Sequence, residues 1–221
     1  RIEASLSALK KFLINSKLYD YYQEGNRSFI PLYFIAYHIF HSKADTKVLT
    51  EYFDTFDTNN KNFREIFQWI YPSLLSGVFK SKGAGWIPYK TGVRKLLLCL
   101  KNYKGEEFPK EELFKVYKYH PVYFYEKINS SNINLLDTSF LFFILYDREE
   151  VTRLQDTDHI HAYSLLSKAG YDYESINKVE NSQLLDSGTN RGLKSAKTLK
   201  EWINSYVENK GLYLSRHLIP P

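Results

Sequence analysis

The stretch "DTDHIHAYSLLSKAG", Asp156–Gly170, sets Asp158, His159 and His161 within four residues, just ahead of the apolar Tyr163-x-Leu165-Leu166. An acid beside a histidine can begin a metal-dependent site, or it can be a strand that happens to carry two histidines. The residues downstream decide between them. There, "INKVENSQLLDSGTNRGLKSAK" (176–197) supplies Asn177, Asn181 and Asn190, then Arg191-Gly192-x-Lys194-Ser195. One asparagine means little, because the residue is disfavoured inside strands and common in turns. The order carries more: acid–His, then Asn, then Asn at the mouth of a helix. Asp and Asn oxygens suit a hard divalent ion such as Mg²⁺ or Mn²⁺, with Zn²⁺ the poorer fit. A neutral histidine beside such an ion can take a proton from water.

Working outward, short extended pieces are expected around His159–Tyr163 and Gln183–Leu185, then a periodic helix from about Asn190 to Val207. Everything upstream reads as helix. "IEASLSALKKFLINSKLYDYY" (2–22) places Ile2, Leu6, Leu9, Phe12, Leu13 and Leu18 near a period of 3.6. "FIPLYFIAYHIF" (29–40) is apolar nearly all round, a buried helix entered through Pro31. "TKVLTEYFDTF", "NFREIFQWIYPSLLSGVF", "TGVRKLLLCLKNY", "PKEELFKVYKYHPVYFYEKI" and "LLDTSFLFFILYDREE" continue the pattern, with Pro121 ending or kinking the fourth. The expected fold is mainly α: a helical bundle over 1–152, then a small strand–strand–helix module over 153–221, packed as one unit.

The totals limit the alternatives. Among 221 residues there are 19 Tyr, 15 Phe and 3 Trp, a load suited to a helical core with phenol hydroxyls at its rim. A net charge of +5 favours a polyanionic partner only weakly. The single Cys99, in "LLLCL", excludes a disulfide framework and a cysteine zinc site, and reads as a small buried hydrophobe rather than a nucleophile. The longest apolar run, "SFLFFILY", is too short for a membrane span, no signal peptide is visible, and a cytoplasmic location is expected. Methionine is absent and the chain starts at Arg1 inside a helical pattern, so a fragment of a longer protein is expected. From Gly77 to Lys118 there are ten Lys/Arg against four Glu, which reads as a solvated face. Arg191, Lys194, Lys197 and Lys200 would share one face of the last helix, as either a solvated stripe or a binding one. His120 and His217 lack companions and read as structural.

Asp158-His159-Ile160, then Asn181, then Asn190-Arg191-Gly192-x-Lys194-Ser195 resemble the HNH, or ββα-metal, nucleases, including the HNH domain of RNA-guided CRISPR nucleases, with one extra residue before Lys-Ser. "DHIHAYSLL…INKVENSQLLDSGTNRGLKS" looks closer still to the C-terminal nuclease region of GmrSD-type restriction and related phage-defence proteins. The motif covers about residues 156–207. Ala162 stands where many HNH sequences have Pro, a residue that shapes a turn and binds no metal. The resemblance implies that Asp158 and Asn190 hold one divalent ion, that His159 is the general base, and that Asn181 orients its ring. It implies phosphate contacts to double-stranded DNA from Arg191, Lys194 and, further along the helix, Lys197. His161 is either a further ligand or phosphate contact, or a polar residue at the site's edge. Asn177 reads as a turn residue. In the resembled proteins an N-terminal nucleotide-binding domain senses and gates. No Gly-rich phosphate loop occurs here, so such a domain would lie outside this chain.

Three readings are open: a metal-dependent DNA endonuclease of a bacterial anti-phage system, a nucleic-acid-binding or inter-domain regulatory unit with a degenerate HNH site, and a helical domain docking partner proteins through its Tyr-rich surface.

Overall fold

The computed structural model describes residues 1–23, 27–49, 51, 53–54, 59–80, 86–116, 133–146 and 155–220. They are mainly helical, with one two-stranded antiparallel sheet. The chain divides into two units, Arg1–Asp137 and Thr138–Pro221. The boundary expected at 152/153 lies outside the described residues, as do Pro121 and His120.

In the first unit, α1 (Ile2–Asn15) buries Ala8, Leu9, Phe12 and Leu13, while Ile2 and Leu6 of the expected stripe are exposed. The helix expected to run on to Tyr22 stops here. Lys17 adopts φ +61° and the Leu18 N–H bonds back to Leu13 O at 2.8 Å, closing the last turn before a short α2 (Tyr19–Gln23). In α3 (Ile30–His41), Pro31 sits in the first turn, where a missing N–H costs nothing. One side carries Leu32, Phe34, Ile35, His38 and Ile39 into the core, while Tyr33 faces solvent, so the helix is not enclosed all round. A short α4 (Thr46–Leu49) follows. Asn60 caps α5 (Lys61–Leu75) by accepting from Phe63 N at 3.2 Å, and the helix continues through Pro72. Past a π-helical turn at Tyr89–Val93 come α6 (Arg94–Asn102) and α7 (Lys110–Lys115). Gly92 is required in that turn, since an added Cβ would lie 2.5 Å from Ile87 Cβ.

Aromatic packing holds this unit together. Phe12 lies 5.2 Å from Phe63 and 5.6 Å from Phe53 between ring centroids, and the fully buried Trp69 lies 5.4 Å from Phe108. Truncating such a ring to Ala costs about 3–5 kcal/mol. Cys99 is half-buried rather than a core residue, and burial pushes its thiol up, away from the reactive thiolate. Cations of the basic stretch find local partners: Lys110 reaches Glu65 Oε2 at 3.1 Å and Gln68 Oε1 at 2.7 Å, and Lys80 pairs with buried Asp137.

The second unit begins with α8 (Thr138–Leu145). The sheet pairs β1 (Gln155–His159) with β2 (Ser182–Asp186), in a register that sets Asp158 opposite Gln183 and His159 opposite Ser182. Between them lie α9 (Tyr163–Lys168) and α10 (Tyr173–Ile176), the latter capped by Asp172, which accepts from Ser175 N at 2.7 Å. The first extended piece therefore ends at His159, and Tyr163 starts a helix instead of ending a strand.

The single helix expected over Asn190–Val207 is two pieces. A π-helical turn spans Thr189–Lys194, and α11 spans Leu199–Tyr206, followed by α12 (Lys210–Arg216). Thr198 and Glu201 form a reciprocal capping box that starts α11 afresh, and Ser195 at φ +43° redirects the chain between the pieces. The break dissolves the expected stripe. Lys194 is fully buried, while Lys197 donates to Leu193 O and lies 5.2 Å from the Tyr206 ring centre.

Candidate active site

Adjacent residues of a strand point to opposite faces, and β1 divides its chemistry accordingly. Asp158 shares a face with its cross-strand partner Gln183, whose amide Nε2 donates to Asp158 Oδ2 at 2.8 Å. Lys194, from the helical turn after β2, brings its Nζ to 2.6 Å from the same oxygen and donates also to His159 O. Gln183 and Lys194 are fully enclosed, and Asp158 alone of the three keeps a small opening, at 9 % exposure. Behind Gln183, the Tyr213 hydroxyl of α12 donates to its Oε1 at 2.8 Å. Burial pushes the Tyr213 phenol up, which keeps it protonated and a donor. At the edge of this face Arg191 Nη2 lies 3.1 Å from Asp156 Oδ2, with the guanidinium largely in solvent.

His159 leaves on the other face. Its Nε2 lies 3.1 Å from Asn177 Oδ1. The amide is oriented by its own Nδ2, which donates to Tyr173 O at 2.7 Å, so the oxygen faces the ring. An oxygen partner makes Nε2 the donor, so in the neutral tautomer the lone pair lies on Nδ1. Tyr163 stands beside the ring, 5.9 Å between centroids, and Tyr173 stands beside Tyr163.

Asn181, expected to orient the His159 ring, bonds the backbone next to it. Its Oδ1 accepts from His161 N at 2.8 Å, and its Nδ2 donates to His161 O at 3.2 Å and Ile176 O at 2.9 Å. It pins the backbone just past His159, and the ring itself is held by Asn177. His161 lies beyond the strand, exposed, so it does not share a strand face with His159. Asn190 sits half-buried in the turn that also carries Lys194, and its carbonyl accepts from Ser195 N at 3.0 Å.

The chain matches no family model, no curated protein and no solved structure.

Among the described residues, no three or more His, Cys, Asp and Glu side chains converge on a common point. A metal taking the expected donors would use Asp158 and Asn190. Both described partners of the Asp158 carboxylate take Oδ2, which leaves Oδ1 for a hard cation. The buried Lys194 ammonium 2.6 Å from Oδ2 opposes a second positive charge there, so the donor set fits one ion held through Oδ1 and an enclosed dication poorly. Sequence reasoning missed Asn177, Gln183 and Tyr213. The signal for Gln183 was its place in "QLL", where it shares the inward face with Leu185, and a lone amide at an apolar position implies a buried partner.

No described helix is long and apolar enough to cross a membrane.

Proposed function

We propose that the second unit is a divalent-metal-dependent DNA endonuclease module of the HNH kind, acting in anti-phage restriction. The observation that supports it best is the junction after β2: an antiparallel ribbon ending in Asp158-His159 is followed at once by a helical turn bearing Asn190, Arg191 and Lys194, two of which contact acids of β1. His159, neutral and donating from Nε2 to Asn177, presents Nδ1 to a water molecule and accepts its proton. Asn181 holds the chain beyond His159 and so limits how far the ring can drift. Arg191, largely exposed, can exchange Asp156 for a phosphate of the strand. A Mg²⁺ or Mn²⁺ ion bound through Asp158 and Asn190 would polarise the scissile phosphate and steady the leaving oxygen.

Plasmid cleavage in Mg²⁺ or Mn²⁺, wild type against His159→Ala, tests the reading. We expect loss of at least about a hundredfold in the variant. Equal activity in both proteins, or none in either across several metals, ends it.

A second reading is favoured by one observation, the neutralisation of Asp158 by a fully buried lysine. In it the module binds nucleic acid or a neighbouring domain without cutting. It predicts salt-sensitive DNA binding that metals do not change and no cleavage product.

A further inference from the structure

We infer that the turn and helix spanning residues 86–102 of the first unit form a binding track for single-stranded nucleic acid; this stands independently of the endonuclease reading above. Three observations meet on this segment. No Asp or Glu occurs from Ser81 to Gly105, and the two acids that follow are taken by other lysines, Glu106 by Lys43 and Glu107 by Lys61. Lys90, Arg94, Lys95 and Lys101 are all exposed, and among the described residues none of the four pairs with a carboxylate. Beside them Trp86 and Tyr89 are 46 % and 68 % exposed.

The backbone presents these groups together. Ile87 is buried, its N–H bonds Val78 O at 3.1 Å, and Gly92 packs against it without a Cβ. With Ile87 as the anchor, Trp86, Tyr89 and Lys90 are left in solvent. The π-helical turn runs directly into α6, where Arg94, Leu98 and Lys101 recur at i, i+4 and i+7 along the exposed side, with Lys95 beside them. From Lys90 to Lys101 the track extends about 15 Å, the length of about four stacked nucleotides. Its cations suit a phosphate backbone, and its exposed rings suit bases freed from pairing, whose faces a duplex keeps stacked. A membrane surface fits less well. A helix lying in lipid needs a free apolar face, and α6 buries Leu96 and Leu100 in the core.

Fluorescence anisotropy on the full chain in EDTA, where metal-dependent cutting is silent, tests the track. The probes are labelled strands of about 16 thymidines or uridines and a duplex of equal length. We expect the strands to bind more tightly than the duplex, and the tighter of the two strands tells DNA from RNA. Trp86→Leu with Tyr89→Leu should weaken strand binding about 5- to 100-fold and leave duplex binding unchanged. Arg94→Gln with Lys101→Gln should lower the slope of log affinity against log salt by about 1.4, at about 0.7 per phosphate contact. All four side chains are exposed, so these proteins keep the fold, which circular dichroism checks. Lys10→Gln with Lys47→Gln, equal in charge and also exposed, should leave strand affinity and slope as they are. An equal loss in that control pair, unchanged affinity in the ring variant, or an unchanged slope in the Arg94–Lys101 variant overturns the inference. So does a duplex bound as tightly as the strands, or no strand binding at all. Binding to phosphatidylserine vesicles that the same variants lose, with strand binding intact, also overturns it and makes the surface a lipid one.

Discussion

A lysine ammonium withdrawn from water needs a counter-charge and hydrogen-bond acceptors, and Lys194 finds both in Asp158 Oδ2 and His159 O. Its worth is best read by removal. Lys194→Met should cost about 3–5 kcal/mol in urea unfolding, because the carboxylate is left buried without its partner. Asp158→Asn combined with Lys194→Met should recover most of that loss. Arg191→Ala breaks an exposed pair to Asp156 and should cost less than about 1 kcal/mol. A comparable loss from both substitutions would show that Lys194 is not the enclosed partner described. The contrast could not be read from a charge stripe, since spacing gives position along the chain and not which ammonium the fold encloses. For the same reason spacing does not say which amide meets the ring: Asn177 contacts His159 Nε2, and Asn181, in the turn at Val179–Asn181, contacts the His161 backbone.

The helix with a strong apolar stripe and a capped start, α5, was legible, whereas α1 was legible in its stripe from Leu9 to Leu13 and not in its end. Local backbone geometry erased the rest. Residues 190–207 keep helical periodicity on both sides of Ser195, so a pattern reader joins them, but φ +43° there ends the first piece. That conformation is strained for a residue with a Cβ. Ser195→Gly should therefore stabilise the second unit by about 1 kcal/mol, measured by thermal unfolding. Thr198→Ala should remove the capping box of α11 and lower stability by about 1 kcal/mol. If Ser195→Gly destabilises, the break is held by the serine side chain and not by backbone geometry.

Across the molecule, the buried His38 and the half-buried His217 make stability depend on mild acid, one in each unit. His38 is held down to about 4 by burial, against a hydrogen bond with Asn62 that acts the other way. His217 is held to about 4, again by burial and then by neighbouring Arg216, while its Nδ1 lies 3.3 Å from Tyr146 Oη. Between about pH 6.5 and 4 the unfolded chain binds these protons and the folded chain does not, so stability rises with pH there. It is complete above about pH 6.5 and lost as pH falls towards 4, up to about 3 kcal/mol for His38 and less for the half-buried, solvent-screened His217. Melting temperatures recorded from about pH 7 to 4.5 should fall, and His38→Leu or His217→Phe should flatten the curve. An unchanged slope in both variants would place the acid sensitivity elsewhere.

The alternation of β1 has a consequence for observation. Because Asp158 and His159 hang from one backbone yet face opposite ways, the ribbon carries two spectroscopic channels. A fluorinated tyrosine at Tyr163 would report the surroundings of the imidazole, and one at Tyr213 those of the carboxylate. Titrating a cation and a DNA duplex separately would then show which side each visitor touches first.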